Sequence, residues 1–288
     1  MQNASAILLI SCPDQKGLVN IISEFIATNN GNIIDLEQHV DHVDNMFFLR
    51  VEWELKDFNI AQKNICTEFE SSVAIKLNKT LNWSIHFSAT VPKMAIFVSK
   101  YSHCLFDLLS RYQSNEWRFE IPLVISNHND LAESVQRAGF AFHHIPVNKD
   151  NKKQAQTQQL SLLKEHGINI VVLARYMQIL SSEFIDEFPN KIINIHHSFL
   201  PAFPGAKPYH SAYQRGVKII GATSHYVTSE LDAGPIIDQD VERVRHTDNI
   251  EDLILKGQDI EKIVLARAIW KHINYKTLVY NNRTIVFE

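Results

Sequence analysis

The sequence predicts an α/β protein with two domains: a ferredoxin-like βαββαβ domain, followed by a doubly wound, mainly parallel α/β domain. The length of 288 residues corresponds to about two domains of ordinary size. Over the first 87 residues the pattern is strand, helix, two strands, helix and strand. From residue 90 onward, short apolar strands alternate with helices, as they do in parallel sheets. We therefore expect domains over residues 1–89 and 90–288.

The front domain begins with the apolar run AILLISC, which predicts a buried strand that ends at the Pro13-Asp14 turn. Behind Gly17, apolar residues recur every three or four positions, which predicts an amphipathic helix that ends at Asn29. The remaining elements are two hairpin strands, a helix and a last strand, expected within NIIDLEQHVD and MFFLRVEWEL and over residues 60–69 and 81–87.

The second domain begins where the pattern changes to buried strands separated by helices. Five strands are expected within KMAIFVSK, EIPLVISN, AFHHIPV, INIVVLAR and KIINIHH. The helices between them are expected over residues 104–112, 131–138, 152–166 and 183–188. Two more strands, within IIGATSHYVT and PIIDQDVERV, and a helix over residues 250–272 close the domain. This alternation predicts the doubly wound sheet.

Composition and charge indicate an ordinary globular protein and do not indicate a nucleic-acid or membrane partner. A hydrophobic fraction of 45% and a charged fraction of 21% are ordinary for a globular protein. The net charge of −4 indicates neither nucleic acid nor an anionic membrane as a partner. The start of the chain lacks signal-peptide features, and no apolar run approaches the roughly 20 residues that cross a bilayer. Three dispersed cysteines fit a reduced compartment, so we expect a cytoplasmic protein.

The stretch IINIHHSFLPAFPGAKPYHSAYQRG is the most informative about chemistry. Strand alternation places Asn194 and His196 on one face, at the carboxyl end of a parallel strand, where open α/β sheets bind ligands. An amide that stabilises an oxyanion beside an imidazole that moves protons suits acyl-group chemistry. Asp232, in the turn SELDAGPII, is the candidate carboxylate partner of the imidazole. An aspartate in such a turn is also commonly a local turn-former, and both interpretations stay open on the pattern alone.

The front domain resembles the ACT domain family through its first strand, the CPDQKG loop and the NGNI turn. The resemblance implies a regulatory module that binds an amino acid such as glycine or methionine, commonly where two such modules pair. The implied effector-binding residues are Asp14, Gly17, Leu18 and Asn32. A ferredoxin-like domain with only an assembly role is the alternative. Either role predicts a homo-oligomer, with the strand near residues 81–87 as a pairing edge.

Nearly the whole chain resembles the formyltransferase-like fold family that handles 10-formyltetrahydrofolate, and within it the formyltetrahydrofolate deformylases. NIHHSFLPAFPGAKPYHSAYQRG and then GATSHYVTSELDAGPII carry the resemblance, because Asn-x-His, the Pro-rich loop and the Leu-Asp-x-Gly-Pro turn recur in order. The resemblance implies that Asn194, His196 and Asp232 form a catalytic triad. It also implies a folate pocket lined by Arg175, Tyr176, Met177, Gln178, Ile179, Leu180, His225 and Val227.

The same resemblance implies a hydrolase that cleaves 10-formyltetrahydrofolate to tetrahydrofolate and formate without a metal or redox cofactor. Such an enzyme controls the one-carbon folate pool and supplies formate for purine synthesis. Residues 98–109, VSKYSHCLFDLL, lack the glycines with which the glycinamide ribonucleotide transferring members hold the acceptor's phosphate, which favours water as the nucleophile. A formyl transferase with an amine acceptor and a non-catalytic folate or amino-acid sensor are the alternatives.

Other reactive side chains have ordinary interpretations beside the functional ones. Adjacent histidines on a strand point to opposite faces, so neither His-His pair predicts a metal site, and His197 is expected to pack behind the triad. Cys104 is expected to be a structural cysteine. Lys207 and His210 are candidates to contact the acidic glutamate tail of a folate, although solvated loop charges are equally common.

Overall fold

The structure of the protein, a computed structural model, describes residues 4–77, 81–202 and 208–288. The chain divides into two compact units. The first comprises Met1–Thr90, Asn274–Leu278 and Ile285–Glu288, and the second comprises Val91–Ile273 and Val279–Thr284. Among the described helices, none has both the length and the apolar character that crossing a membrane requires.

The carboxyl-terminal residues are divided differently from the expected domain limits. Segments 274–278 and 285–288 group with the first unit, whereas the sequence analysis assigns them to the second domain. Within the first unit, the Tyr275 ring stacks on His86 with the ring centroids 4.0 Å apart. The buried Arg50 donates from Nε to the Tyr275 carbonyl oxygen at 3.2 Å. These contacts explain why the returning chain belongs with this unit.

The first unit contains a four-stranded antiparallel sheet. Its strands are β1 (Ser5–Pro13), β2 (Ile33–Asp41), β3 (Met46–Glu54) and β4 (Asn82–Phe87). They lie in the order β2-β3-β1-β4, which leaves β4 at one edge, as expected for the strand near residues 81–87. This order, with helices after β1 and β3, confirms the ferredoxin-like fold.

Helices cover one face of this sheet. Helix α1 (Leu18–Thr28) follows Gly17, whose φ of 90° is left-handed, and buries Leu18, Ile22, Phe25 and Ile26 at helical spacing. These side chains share a core with residues of β1 such as Leu8 and Ile10. The second helical segment is longer and less regular than the single helix expected over residues 60–69. It comprises a 3-10 turn Gln62–Asn64, α2 (Ile65–Phe69), a π turn Glu70–Ala74 and α3 (Ile75–Leu77).

The second unit contains a seven-stranded sheet. Its strands are β5 (Lys93–Val98), β6 (Glu120–Ser126), β7 (Phe142–His144), β8 (Ile170–Leu173), β9 (Ile192–His196), β10 (Ile219–Tyr226) and β11 (Ile236–Arg243). They lie in the order β11-β10-β9-β8-β5-β6-β7. Strands β5 to β9 are parallel, and the pairings of β9 with β10 and of β10 with β11 are antiparallel. The chain runs outward from β5 to β7 and then returns to β8 on the other side of β5. Ligands bind at the carboxyl ends of strands at such a reversal of order.

Helices cover both faces of the seven-stranded sheet, as the predicted doubly wound fold requires. They are α4 (His103–Gln113), α5 (Ala132–Arg137), α6 (Lys152–Glu165), α7 (Ser182–Asp186), α8 (Pro208–Arg215) and α9 (Ile250–Ile273). Strand alternation separates the two cores: Ile96 packs with α4, α5, α8 and α9, while its neighbour Phe97 packs with α6 and α7. The mainly parallel α/β fold is therefore confirmed.

Two elements were not expected from the sequence. One is α8, which follows the Pro-rich loop. The other is a carboxyl-terminal hairpin of β12 (Thr277–Tyr280) and β13 (Arg283–Val286). Asn281 and Asn282, the two residues of its turn, have φ of 44° and 58°, as a type I′ turn requires.

Candidate active site

Strand pairing assembles polar side chains at the carboxyl end of β9. Asn194 and His196 share one face of β9 because side chains alternate along a strand. In the antiparallel pairing with β10, Asn194 lies opposite His225. On the other side of β9, the parallel pairing with β8 aligns Leu173 with Asn194, so the turn after β8 lies beside the same strand end. Three neighbouring strands therefore contribute to one site.

Asp232 returns to this site from the turn between β10 and β11. Its Oδ1 lies 3.3 Å from His196 Nδ1 and 3.8 Å from His225 Nε2. The hydrogen bond from His196 and the nearby His225 imidazole hold the pKa of the Asp232 carboxyl far below its ordinary value, although partial burial opposes them. The carboxylate is therefore ionised and accepts from His196 Nδ1. His196 Nε2 is buried without a hydrogen-bond partner among the described residues, which leaves it to a bound molecule.

The turn that presents Asp232 depends on two unusual backbone positions. Asp232 itself has a φ of 55°, in the left-handed region that aspartate tolerates better than most residues. Gly234 lies so close to the opposite strand that a Cβ there would be 1.8 Å from the Tyr226 carbonyl oxygen. The Tyr226 amide also donates to the Pro235 carbonyl oxygen at 2.9 Å. The turn is therefore packed tightly against the end of β10.

His225 forms a hydrogen bond with the Asn194 amide. The sequence analysis expected it only in the folate pocket. Its Nδ1 donates to the Tyr226 carbonyl oxygen at 2.9 Å, so in the neutral ring Nε2 accepts from Asn194 Nδ2 at 3.1 Å. This bond orients the Asn194 amide. Because the partnership depends on the register of β9 against β10, the sequence alone carries no local signal for it.

A cavity of about 460 Å³ opens on these side chains. All the predicted catalytic and folate-binding residues line it: Asn194, His196, Asp232, Arg175, Tyr176, Met177, Gln178, Ile179, Leu180, His225 and Val227. Met177 and Ile179 are apolar side chains that are 47% and 57% exposed beside these polar groups. A cavity with apolar walls and a few convergent polar groups is the ordinary form of a small-molecule site.

The turn after β8 is held in shape by buried polar side chains. The Met177 amide donates to Ser99 Oγ at 2.9 Å. The Gln156 side chain donates to the Ile179 carbonyl oxygen at 3.1 Å. Tyr176 accepts from Gln159 at 3.0 Å, and burial raises the pKa of Tyr176 to about 12. These bonds fix the pocket wall from behind.

A second polar cluster, which the sequence analysis missed, lies at the start of α4. Glu261 of α9 is 1% exposed; its Oε2 lies 2.7 Å from His103 Nε2, and its Oε1 accepts from the Tyr209 hydroxyl at 2.6 Å. Arg175 Nε lies 3.5 Å from Glu261 Oε2. Burial alone would raise the pKa of Glu261, but the His103 hydrogen bond and the positive charge of Arg175 lower it below its ordinary value.

Within the described residues, one set of side chains has metal-ligand spacing: the donor atoms of His103, Cys104 and Glu261 lie within 4.8 Å of one another. Arg175 and Tyr209 already share the Glu261 carboxylate. Burial and the nearby Glu261 raise the pKa of the Cys104 thiol well above its ordinary value, so the thiolate that binds metals is disfavoured. The contacts describe a hydrogen-bonded ion-pair cluster that contains a buried thiol.

The predicted effector residues do not converge within one chain. The Asp14 amide donates to the Asn45 carbonyl oxygen at one end of β3. The Asn32 carbonyl oxygen accepts from the Glu54 amide at the other end. The nine residues of β3 separate these ends by about 26 Å. Leu18 is a core residue, 2% exposed. Asp14 and Gly17 lie together in the first loop, whereas Asn32 lies near the other end of β3, and the assignment of these residues to an effector site stays a prediction.

The remaining candidates have simple outcomes. His210 is exposed on α8, and Lys207 lies outside the described residues. His197 is buried, with its ring centroid 5.1 Å from that of His196 and 6.0 Å from that of Tyr209. His197 therefore packs between the rings of His196 and Tyr209, and it also lines the cavity.

Known proteins resemble this chain over most or all of its length. Residues 92–269 match the Formyl transferase family. The chain is 54% identical over 287 residues to the formyltetrahydrofolate deformylase of Synechocystis sp., with 100% of both chains covered. The crystal structure of a formyltetrahydrofolate deformylase from Pseudomonas syringae pv. tomato matches 100% of this chain and 96% of its own, with 43% identity and a TM-score of 0.96. A phosphoribosylglycinamide formyltransferase structure from Anaplasma phagocytophilum matches 69% of this chain and 96% of its own, with 30% identity and a TM-score of 0.62.

The close approach at Gly234 generates a prediction. In Gly234→Ala, the added Cβ would clash with the Tyr226 carbonyl oxygen, so the turn must shift and carry Asp232 away from His196. We expect binding of folate in the cavity to weaken and thermal stability to fall, measured by calorimetry. Gly139→Ala is the control: its φ of 89° brings backbone strain, but no atom lies within 4 Å of the added Cβ. Equal stability and folate affinity in the two variants would contradict the prediction.

Proposed function

The chain belongs to the formyltetrahydrofolate deformylase family, and on that premise we propose that it hydrolyses 10-formyltetrahydrofolate to tetrahydrofolate and formate. One observation supports the chemistry best. The Asn194 amide and the His196 imidazole share a strand face in a cavity, and the ionised Asp232 carboxylate lies 3.3 Å from His196 Nδ1. The other ring nitrogen, His196 Nε2, has no hydrogen-bond partner among the described residues and is free to act on a substrate.

In the proposed mechanism, the formyl carbon lies beside Asn194 and His196, and water adds to it. The resulting oxyanion accepts hydrogen bonds from the Asn194 amide and from the protonated His196. His225 accepts one N–H of the Asn194 amide at 3.1 Å, which leaves the other N–H for the oxyanion. The bond between N10 and the formyl carbon then breaks as His196 Nε2 gives its proton to N10.

Asp232 has two proposed roles in these steps. Its negative charge, next to Nδ1, stabilises the imidazolium form of His196 that the oxyanion and N10 require. Its carboxylate also orients the attacking water as a hydrogen-bond acceptor. A carboxylate with a lowered pKa is a weak base, so a proton lost by the attacking water does not remain on Asp232. One water proton replaces the one His196 gave away, and the other is released because formic acid ionises at neutral pH.

The apolar side chains and the backbone of the turn after β8 have different proposed roles in binding the substrate. The apolar side chains of Met177, Ile179 and Leu180 face a flat heteroaromatic ring, while the backbone of the turn supplies hydrogen-bonding groups. We propose that neither a metal nor a redox cofactor takes part, since every step above uses side chains of the chain and water. The formate produced would supply purine synthesis and adjust the one-carbon folate pool.

The first prediction tests the triad. Asn194→Ala removes an oxyanion donor, which typically costs about 2.7 to 4 kcal/mol, so formate release should fall roughly a hundredfold or more. The assay uses 10-formyltetrahydrofolate with a chelator and no amine acceptor. Asn129→Ala, which removes an exposed amide outside the cavity, is the control and should keep wild-type turnover. Wild-type turnover in Asn194→Ala would show that the triad assignment is wrong.

The second prediction concerns pH. The folded-state pKa of Asp232 is lowered, so its contribution to stability is present above the unfolded pKa of about 3.9 and is lost as pH falls. The difference in unfolding free energy between wild type and Asp232→Asn should be present at about pH 5 and shrink below about pH 4. Urea unfolding across this range measures it. A difference that stays constant down to about pH 3 would contradict the depressed pKa.

The third prediction concerns the first unit. We propose that it binds an amino acid such as glycine or methionine at the first loop, and that two copies pair through the edge strand β4. Added glycine or methionine should change the rate of formate release, and Asp14→Ala should weaken that response without changing the unliganded rate. Light scattering of the whole chain should give a mass of two or more copies. No response to either amino acid would leave the unit with an assembly role only.

A further inference from the structure

The crevice at the reversal of strand order is filled by side chains of the chain itself. The carboxyl ends of β5 and β8 adjoin at this point, where doubly wound sheets hold ligands. Arg175 enters the crevice from the turn after β8. It meets Tyr101 from the loop after β5 and Glu261 from α9, with its guanidinium carbon 5.0 Å from the Tyr101 ring centroid.

The position of Arg175 is unfavourable for two reasons: its charge is buried and its backbone conformation is strained. It is 8% exposed, and its Nε and Nη1 are buried without a hydrogen-bond partner among the described residues. Its φ is 63°, in the left-handed region that favours glycine. Buried charge and backbone strain together persist where the surrounding structure imposes them, and such positions concentrate at functional sites.

The surrounding contacts impose this position. The Ser99 amide donates to the Arg175 carbonyl oxygen at 3.3 Å, which fixes the strained backbone. The Glu261 carboxylate compensates the guanidinium charge at 3.5 Å, and His103 and Tyr209 hold that carboxylate at 2.7 and 2.6 Å. The guanidinium therefore has little freedom to leave the crevice.

Arg175 is also one of the residues that line the proposed catalytic cavity. Arg175, Asn194 and His196 all line the 460 Å³ cavity. The ring of His196 packs on His197, that ring packs on Tyr209, and Tyr209 donates to Glu261. The rings of His197 and Tyr209 thus connect the ion pair with the imidazole of His196.

Two classes of nucleophile are chemically possible at the formyl carbon. In hydrolysis the oxygen of water bonds to that carbon, the bond from N10 to carbon breaks, and N10 gains a proton. In transfer an amine nitrogen forms the new bond, the same bond to N10 breaks, and the proton lost by the amine goes to N10. The second unit shares its fold with a protein named a phosphoribosylglycinamide formyltransferase, so the fold alone does not choose between them.

We propose that Arg175, held by Glu261 and covered by Tyr101, is a specificity-determining residue that fills the place of a larger nucleophile and restricts the reaction to water. This inference rests on the proposed hydrolysis of 10-formyltetrahydrofolate. It assigns Arg175 a role different from the backbone contacts of the pocket wall. Removing the side chain should open the crevice to a small amine while the triad stays in place.

The test measures how the formyl group is divided between water and an amine. Wild type, Arg175→Gly and Tyr101→Ala are incubated with 10-formyltetrahydrofolate and glycinamide, and formate and formylglycinamide are quantified by mass spectrometry. Glycine suits the φ of 63°, so Arg175→Gly removes the charge without adding strain. We expect the ratio of transfer to hydrolysis to rise about tenfold or more in Arg175→Gly and by a smaller factor in Tyr101→Ala. Arg137→Ala removes an arginine whose side chain is 78% exposed, and it should keep the wild-type ratio.

The ratio separates specificity from general damage, because a merely structural role would lower both products together. Tyr101 is 49% exposed, so its truncation keeps the fold and provides a test if Arg175→Gly is unstable. An unchanged ratio in folded variants that still release formate overturns this inference and leaves the proposed function standing. Absence of formate release by wild type instead overturns the proposed function.

Discussion

The pairing of β9 with β10 is the constraint on which the site depends. It places His225 opposite Asn194, and it lets the turn after β10 return Asp232 to within 3.3 Å of His196. A slip of one residue in this register would turn His225 to the opposite face and separate it from the Asn194 amide. The contact between Gly234 and the Tyr226 carbonyl oxygen closes the same turn. The order of the polar groups thus follows from backbone hydrogen bonds rather than from their mutual attraction.

Two carboxylates beside the cavity are stabilised in different ways. Asp232 is partly exposed, accepts from His196 and lies 3.8 Å from His225 Nε2, so its charge stays available to water and to an imidazolium. Glu261 is almost fully buried and is surrounded by His103, Tyr209 and Arg175, which satisfy its charge internally. A buried charge that is already compensated has little to offer a ligand, whereas a half-exposed one next to an unpaired imidazole nitrogen has much. The difference in burial therefore separates the carboxylate proposed to act in the reaction from the one whose charge is compensated internally.

Sequence reasoning reached the parts of the site that depend on local pattern. Strand alternation was enough to place Asn194 and His196 on one face, and the parallel pattern placed them at a ligand-binding strand end. Asp232 needed the family resemblance, because its distance of 36 positions from His196 carries no local signal. Glu261 and His103 were missed, since only the packing of α9 against α4 brings them together. The carboxyl-terminal hairpin did have a signal, the Asn281-Asn282 pair between two strand-like runs, and it was overlooked.

The cavity walls explain why a polar reaction centre is surrounded by apolar groups. Met177 and Ile179 remain half exposed although water disfavours them, which is the surface a flat ring can cover. Covering them would remove water from the part of the cavity that they line. Hydrogen bonds to a developing oxyanion strengthen when bulk water is excluded, because the local dielectric constant falls. If Asn194 and His196 act as proposed, substrate binding at the apolar wall would strengthen their hydrogen bonds to the oxyanion. The exposed side chains after β8 would thereby assist the chemistry proposed at the end of β9.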